Sequence, residues 1–424
     1  MVVELAPCFH ISAIDKPQQL IQLASELRQA QNDESPGLEC LLGVLDAWSK
    51  TILESPAAQI PGAIFLSLWL RRSTLLALLH RELGPESLDS WNAQGKNRFR
   101  RFPVGLVAHW PAANVPTLPI LSPICALLGG NVCLVRVPSA FVESMRVLLL
   151  SLSLVPGIAR FAGRLRFVTF PNDRRDLQEA MASASDGAMI WGGQEAVDTL
   201  RRLPFPYWAR LMVFGPRMSV AALDRGAWRD QNLVSNWCQR LARDVWQFEQ
   251  AACSSPQILF VEHLPEDDLK PLIAAIESAF RRENDYHPRE SIDPSLSTTI
   301  LRARAEVQVN SQAYGVFPLG TDWTLLVYRS TVFPTPTQGR TLHIVPVRSL
   351  EDIVPMLDGS VQTLGLGMTN LEAEMRLVEQ VGRNGVDRIV RIGMMHVFDS
   401  PWDGYDLVQP MTRKVRHLLS QSNL

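Results

Sequence analysis

Between residues 105 and 191, short apolar runs alternate with segments of helical length, and this alternation limits the fold more than any other feature of the chain. Residues 105–109 (GLVAH) read as a buried strand. Residues 114–128 are small and apolar enough for a helix packed on a sheet, despite their prolines. Gly129-Gly130-Asn131 ends that helix, and 132–137 (VCLVRV) form a second strand. A strand-helix-strand unit of this length joins parallel strands, because only a crossover returns the chain to the same end of the sheet. The pattern continues with a helix over 142–154, a strand over 165–170, a helix over 177–183 and a strand over 187–191. It predicts a doubly wound α/β domain.

The flanking regions extend this plan. Leu20, Leu23, Leu27, Leu41, Leu45 and Trp48 recur at helical spacing, so the first ninety or so residues are expected to be helical. Strands are expected at 211–214 and 218–223. An amphipathic helix should start near Leu233 and run out near Ala251. A strand at 257–261, a helix at 266–281 and an exposed polar loop at 283–295 follow. Further strands are expected at 323–328, 341–346 and 387–392, with helices at 350–357 and 371–381. The fold class is therefore α/β with two α/β domains. The expected boundaries are a helical N-terminal region (1–98), a Rossmann-like cofactor domain (99–232), a catalytic domain (233–392) and a tail (393–424) returning to the cofactor domain or to a partner subunit. The dinucleotide fingerprint Gly-x-Gly-x-x-Gly is absent, so a nicotinamide cofactor would be held in another way.

With 20% charged residues, a net charge of −2 and an arginine-dominated positive content, the chain offers no basic surface for nucleic acid. Its longest apolar stretches, 61–70 and 147–155, are too short for a membrane span. The six cysteines are scattered, without Cys-x-x-Cys or metal-type spacing. A reducing, cytoplasmic compartment is expected, and no metal.

The chemistry is most legible at 249–257 (EQAACSSPQ), where Cys253 lies between small residues, after a helix and before a strand. Alanine and serine neighbours leave room for a substrate to reach the sulfur, as a nucleophilic thiol needs. On that string alone, a buried structural cysteine fits as well.

Three more segments, in the same order, match one family. Residues 109–119 (HWPAANVPTLP) resemble the Asn-aromatic-Pro segment of aldehyde dehydrogenases. Residues 127–139 (LLGGNVCLVRVPS) are similar to that superfamily's Gly-Asn strand ending in Lys-Pro-Ser, and 190–197 (IWGGQEAV) to its glycine turn before the helix beneath the cofactor. With Trp402-Asp403-Gly404, the chain most resembles the acyl-CoA reductase (LuxC-type) branch of the superfamily, over about residues 100–410.

The resemblance implies that Cys253 is the nucleophile and that Asn114, with the backbone N–H of Cys253, holds the oxyanion, where one donor is typically worth ~3–4 kcal/mol. It places Arg136, Ser139, Trp191, Gly192, Gly193, Phe214, Gly215 and Phe333 around the cofactor. Arg136 replaces the usual lysine and can grip a 2′-phosphate bidentately, favouring NADPH over NADH. His109 and His396 are weighed as proton donors or as satisfied structural histidines.

The departures from the family's pattern matter too. Val213 or its neighbour occupies the place of the glutamate that activates hydrolytic water, and Thr331-Val332-Phe333 replaces Glu-x-Phe. The resemblance therefore implies reduction of an acyl thioester, from acyl-CoA or an acyl-carrier protein, to the aldehyde. The alternatives are a CoA-acylating aldehyde dehydrogenase working in the oxidative direction and a non-catalytic subunit that binds acyl donors or a partner synthetase. A homo-oligomer is expected.

Overall fold

A computed structural model describes residues 8–33, 36–84 and 88–419. The chain forms two compact units, one of residues 1–215 with 398–424 and the other of 216–397.

In chain order the first unit contributes β1 (Ile11–Ala13), β2 (Asn92–Gln94), β3 (Asn97–Pro103), β4 (Leu106–Trp110), β5 (Val132–Arg136), β6 (Leu165–Thr169), β7 (Gly187–Trp191) and β8 (Arg210–Phe214). The second contributes β9 (Met218–Leu223), β10 (Pro256–Glu262), β11 (Ala313–Val316), β12 (Thr324–Tyr328), β13 (Thr341–Val347), β14 (Val361–Gly367) and β15 (Arg388–Arg391). The last strand, β16 (Thr412–Leu418), belongs to the first unit again.

The first unit's main sheet has the order β1-β6-β5-β4-β7-β8, and all its pairs are parallel. The chain leaves β4 to one side for β5 and β6, then crosses to the other for β7 and β8. The carboxyl ends of β4 and β7 therefore flank the switch point, where open α/β sheets bind ligands. The strands β4, β5 and β7 are buried along their whole length, as continuous apolar runs covered on both faces require. The helix Leu118–Leu128 is likewise buried at every residue, with Pro119 in its first turn and Pro123 inside. The N-terminal helices Pro17–Asn32, Leu38–Leu53, Ala63–Trp69 and Arg72–Leu83 are part of this unit.

Asn131 pins three segments of this unit. Its side-chain amide donates to Ala126 O (2.8 Å) and Met411 O (2.9 Å), and its oxygen accepts from Gly105 N (3.1 Å). Gly105 has φ +132, and a Cβ there would meet Asp186 Oδ2 at 2.4 Å, so both backbone angle and space demand glycine. The tail returns through β16, antiparallel to β3, in a small sheet ordered β16-β3-β2.

The second unit is one seven-stranded sheet, β11-β12-β13-β10-β9-β14-β15, parallel except for the edge pair β11–β12. Two apolar cores cover its faces. One includes Leu241, Val245, Leu259 and Phe280, the other Val220, Phe260, Leu364 and Leu377.

Three expectations are corrected here. The boundary falls after residue 215 rather than 232, because β9 joins β10 and β14 instead of the first sheet. The second unit ends at 397 rather than 392. The polar loop expected over 283–295 narrows to 287–293, because the helix Lys270–Tyr286 runs into it and the helix Pro294–Val309 begins inside it, the latter capped by Asp293 Oδ1 accepting from Ser295 N and Leu296 N.

Candidate active site

The second unit builds the neighbourhood of Cys253 with a sharp turn. The helix Gln231–Trp246 is capped by Asp230 and stops at Trp246, five residues short of the expected end. Phe248, Glu249 and Gln250 then take left-handed backbone angles in succession, with φ 56, 53 and 62. Each such non-glycine residue costs about 1–3 kcal/mol, so the turn persists only where its surroundings hold it. They do so at each of the three positions. The Phe248 ring meets His396 edge-on at 5.4 Å, and the Glu249 carboxylate pairs with Arg289 (3.1 Å) and Arg340. The buried Gln250 amide donates to Pro256 O and Thr341 O, both at 2.8 Å, and accepts from Thr341 N at 2.7 Å.

The turn delivers Cys253 to the amino edge of the sheet, where β9, β10 and β14 begin. Ser219 Oγ donates to Cys253 O at 2.7 Å, fixing the backbone. Gln362 Nε2, from the start of β14, donates to Cys253 Sγ at 3.1 Å. A donor aimed at sulfur stabilises a thiolate more than a thiol. Cys253 is half-buried, whereas Cys125, Cys133 and Cys238 are fully buried. Burial raises the thiols of all three, that of Cys238 to about 12, which makes them poor nucleophiles.

His396 lies beside this segment but is committed to structure. Its Nε2 donates to Asp244 O (2.7 Å), so its Nδ1 accepts from Ser254 Oγ (2.9 Å). Burial lowers its pKa to about 4, which keeps it neutral. Asp244 in turn accepts from Gly393 N at 2.5 Å, and burial raises its carboxyl to about 7. His396, held by the main-chain carbonyl of Asp244, thus fixes Ser254, the neighbour of Cys253. Phe333 sits elsewhere in this unit, half-exposed, with its ring 6.2 Å from that of Phe260 on β10.

The first unit gathers the other expected residues at the carboxyl ends of its strands. Asn114 is half-buried in the turn between β4 and the helix Leu118–Leu128. Trp191, at the end of β7, stacks on Phe214, at the end of β8 (3.6 Å between ring centres, 6° between planes). Tyr405, from the turn after Trp402-Asp403-Gly404, closes on Phe214 at 5.7 Å. Trp191 Nε1 donates to Ser122 Oγ (3.0 Å), which also bonds His109 Nδ1 (2.8 Å). His109 is buried, and burial lowers its pKa to about 3, so it too is neutral.

Gly215 follows Phe214 and is half-buried. Gly193 is exposed, and a Cβ there would meet nothing within 4 Å, so open space adjoins the backbone of the Gly192-Gly193 turn. Ser139 is exposed just beyond β5. Arg136 is not displayed as a fork. It is buried, Nη2 donates to Phe170 O (2.9 Å) and to Asn172 Oδ1, and Nε is left without a partner. The exposed Ser139, the open turn and that orphaned donor line one edge of the sheet, which suits a dinucleotide with its phosphates against the backbone.

A model of the acyl-CoA reductase (LuxC) family matches residues 16–414, nearly the whole chain. The chain belongs to that family. Among its curated relatives, the long-chain acyl-protein thioester reductase of Aliivibrio fischeri is 23% identical over 82% of this chain and 71% of its own length. That of Photorhabdus luminescens is 24% identical over 81% and 70%. Among solved structures, a putative aldehyde dehydrogenase from Anabaena variabilis superimposes with TM-score 0.67 at 17% identity, over 97% of this chain and 94% of that one. Staphylococcus aureus AldH gives 0.70 at 13%, over 97% and 95%. The fold is that of the aldehyde dehydrogenases.

Within this LuxC family member, sequence reasoning passed over Gln362, Ser219 and Gln250, the residues that hold Cys253 and its turn. Gln362 had a signal: it is a polar residue in an apolar run (361–367, VQTLGLG) and is wholly buried.

Proposed function

We propose that this protein reduces an acyl thioester to the aldehyde through a covalent acyl-cysteine at Cys253. The observation that carries the reading is the half-exposed sulfur accepting a hydrogen bond from Gln362, in a chain of the acyl-CoA reductase family. The thiolate attacks the thioester carbonyl, the bond to the carrier sulfur breaks, and the carrier leaves as its thiol after taking a proton. Asn114 is the proposed donor to the oxyanion. A nicotinamide dinucleotide, when bound, would supply the hydride needed to reduce the acyl carbon. Collapse then breaks the carbon–Sγ bond, releases the aldehyde and regenerates the thiolate.

The protein's own contribution is to hold and screen. Ser219 fixes the Cys253 carbonyl, Gln362 the charge on sulfur, and Gln250 the strained turn. Val213 on β8 occupies the strand segment where a water-activating carboxylate would be needed, and it offers no base. The acyl-enzyme is therefore spared hydrolysis and waits for reduction.

NADPH is the proposed reductant, held along the Ser139 and Gly192-Gly193 edge with Trp191, Phe214, Gly215 and Phe333. For its 2′-phosphate to take two in-plane N–H donors of the Arg136 guanidinium, Arg136 must exchange its Asn172 contact for the ligand. Coenzyme A and a carrier protein are the proposed acyl donors, and a homo-oligomer the proposed assembly. The test is turnover of a series of acyl-CoAs with NADPH. Aldehyde and oxidised cofactor should form in equal amounts, and Cys253→Ala should abolish both. Undiminished turnover by Cys253→Ala contradicts the reading.

A further inference from the structure

The amino edge of the first unit's sheet carries a cavity whose lining includes none of the residues proposed for thioester reduction. It opens beside Gly129-Gly130, the turn leading into β5, and beside Pro103, which precedes β4. Because these strands are parallel, it lies at the opposite ends of the strands from Asn114, Trp191 and Gly193. Its volume is about 250 Å³.

The lining divides by chemistry. Leu38, Leu41, Leu127 and Phe161 give apolar walls, and Arg100, Arg101 and Arg164 supply three positive charges. Asp89 is the one carboxylate among the described lining residues, which leaves a net charge of +2. Arg164 is only 6% exposed and is held in place by donating to Ala30 O (2.8 Å) and Gly130 O (2.9 Å). Burial works against its charge, so an anion beside it recovers part of what desolvation costs. Behind Leu41, Leu127 and Phe161, which are shared by both spaces, lies a second void of about 20 Å³ with wholly apolar walls that include Trp48 and Leu152. A void of that kind stays dry and favours hydrocarbon over water.

An arginine-rimmed mouth in front of an apolar recess selects a molecule with one anionic end and one aliphatic end. We propose that this cavity binds an alkyl carboxylate, an anion of the fatty-acid class, with its carboxylate among Arg100, Arg101 and Arg164 and its tail directed between Leu41, Leu127 and Phe161. It is an accessory site of the first unit, separate from Cys253, and it needs no turnover to be seen.

Calorimetric titration of the full chain with hexanoate, octanoate and decanoate tests this, with decanol and inorganic phosphate as controls. Decanoate should bind more tightly than hexanoate, because each further methylene buried adds about 0.8 kcal/mol, roughly fourfold in affinity, until the recess is full. Decanol, lacking the charge, and phosphate, lacking the tail, should each bind at least tenfold more weakly. Arg100→Gln and Leu38→Glu, both at half-buried positions, should each weaken decanoate roughly tenfold while the rate of thioester reduction is kept.

Phosphate binding as well as decanoate overturns the proposal, as does an affinity indifferent to chain length. So does decanoate binding that is unaffected by both substitutions and purely competitive with the acyl thioester, since that places it at the acyl-transfer site. If one variant does not fold, the other and the chain-length series on the unaltered protein still decide. Because heat is read rather than turnover, a protein that binds decanoate as described but reduces no thioester separates the two claims.

Discussion

Replacing Gln362 with methionine removes a hydrogen-bond donor to the Cys253 sulfur while keeping the length and volume of a wholly buried side chain. A hydrogen bond to a charged acceptor is worth about 1.5–3 kcal/mol, and each 1.36 kcal/mol of preference for the ionised form moves a titration by one unit. The pH at which Cys253 is half-alkylated by iodoacetamide should therefore rise by about one to two units in Gln362→Met. At a fixed pH below that midpoint, the alkylation rate should fall about ten- to a hundredfold. Cys8 and Cys40 are also half-exposed, so peptide mapping must follow Cys253 itself. Thermal unfolding should change far less, because methionine fills the same space. An unchanged midpoint in a folded variant refutes the idea that Gln362 prepares the sulfur for attack.

Other consequences are as direct. Asp244 is a carboxyl whose folded pKa is raised to about 7 from 3.8, so its stabilisation is complete below about pH 4 and is lost as pH rises through about 7. Asp244→Asn keeps an acceptor for Gly393 N and should match the native protein in stability near pH 4 but exceed it at pH 8. Urea unfolding at both pH values checks this, and equal differences at both contradict it. Gln250→Leu removes three hydrogen bonds that hold the left-handed turn and should cost about 2–4 kcal/mol of stability while slowing Cys253 alkylation. Loss of stability with unchanged alkylation would show that the turn does not position the sulfur. Arg136→Ala should raise KM for NADPH several-fold more than KM for NADH, and an equal rise in both removes Arg136 from cofactor selection.

What was legible in the sequence, and what was not, has physical reasons. The strand Gly187–Trp191 is evident because five consecutive buried residues leave no polar interruption, and β4 and β5 are of the same kind. The four N-terminal helices announce themselves through leucine spacing. The strand β14 was missed because Gly365 and Gly367 break its pattern. Both are glycine for want of space, since a Cβ would meet Met395 Sδ at 2.6 Å and Leu223 Cδ2 at 2.4 Å, facts of packing and not of local preference. The strands β3 (NRFRRFP) and β16 (TRKVRHL) are rich in arginine, and they pair with each other across three hundred residues.

The end of the helix Gln231–Trp246 departs from expectation for a related reason. Phe248, Glu249 and Gln250 are ordinary residues, and only partners distant in sequence, Thr341, Arg340 and His396, force them left-handed. Cys253 stands out in the sequence through its small neighbours and the order of the flanking segments. Its donor Gln362 does not, because 109 residues separate the two and only the register of β9, β10 and β14 brings them together. His109 and His396 were weighed as proton donors, and the structure gives both a buried, neutral place with specific partners.

The central claim is that Cys253 carries the acyl group. Intact-mass measurement after incubation with an acyl-CoA, without and then with NADPH, tests it most directly. The account predicts one added acyl mass that maps to the peptide bearing Cys253, is absent from Cys253→Ala, and disappears when NADPH is supplied. No adduct with any acyl-CoA that the protein turns over, or an adduct on another residue that persists in Cys253→Ala, contradicts it.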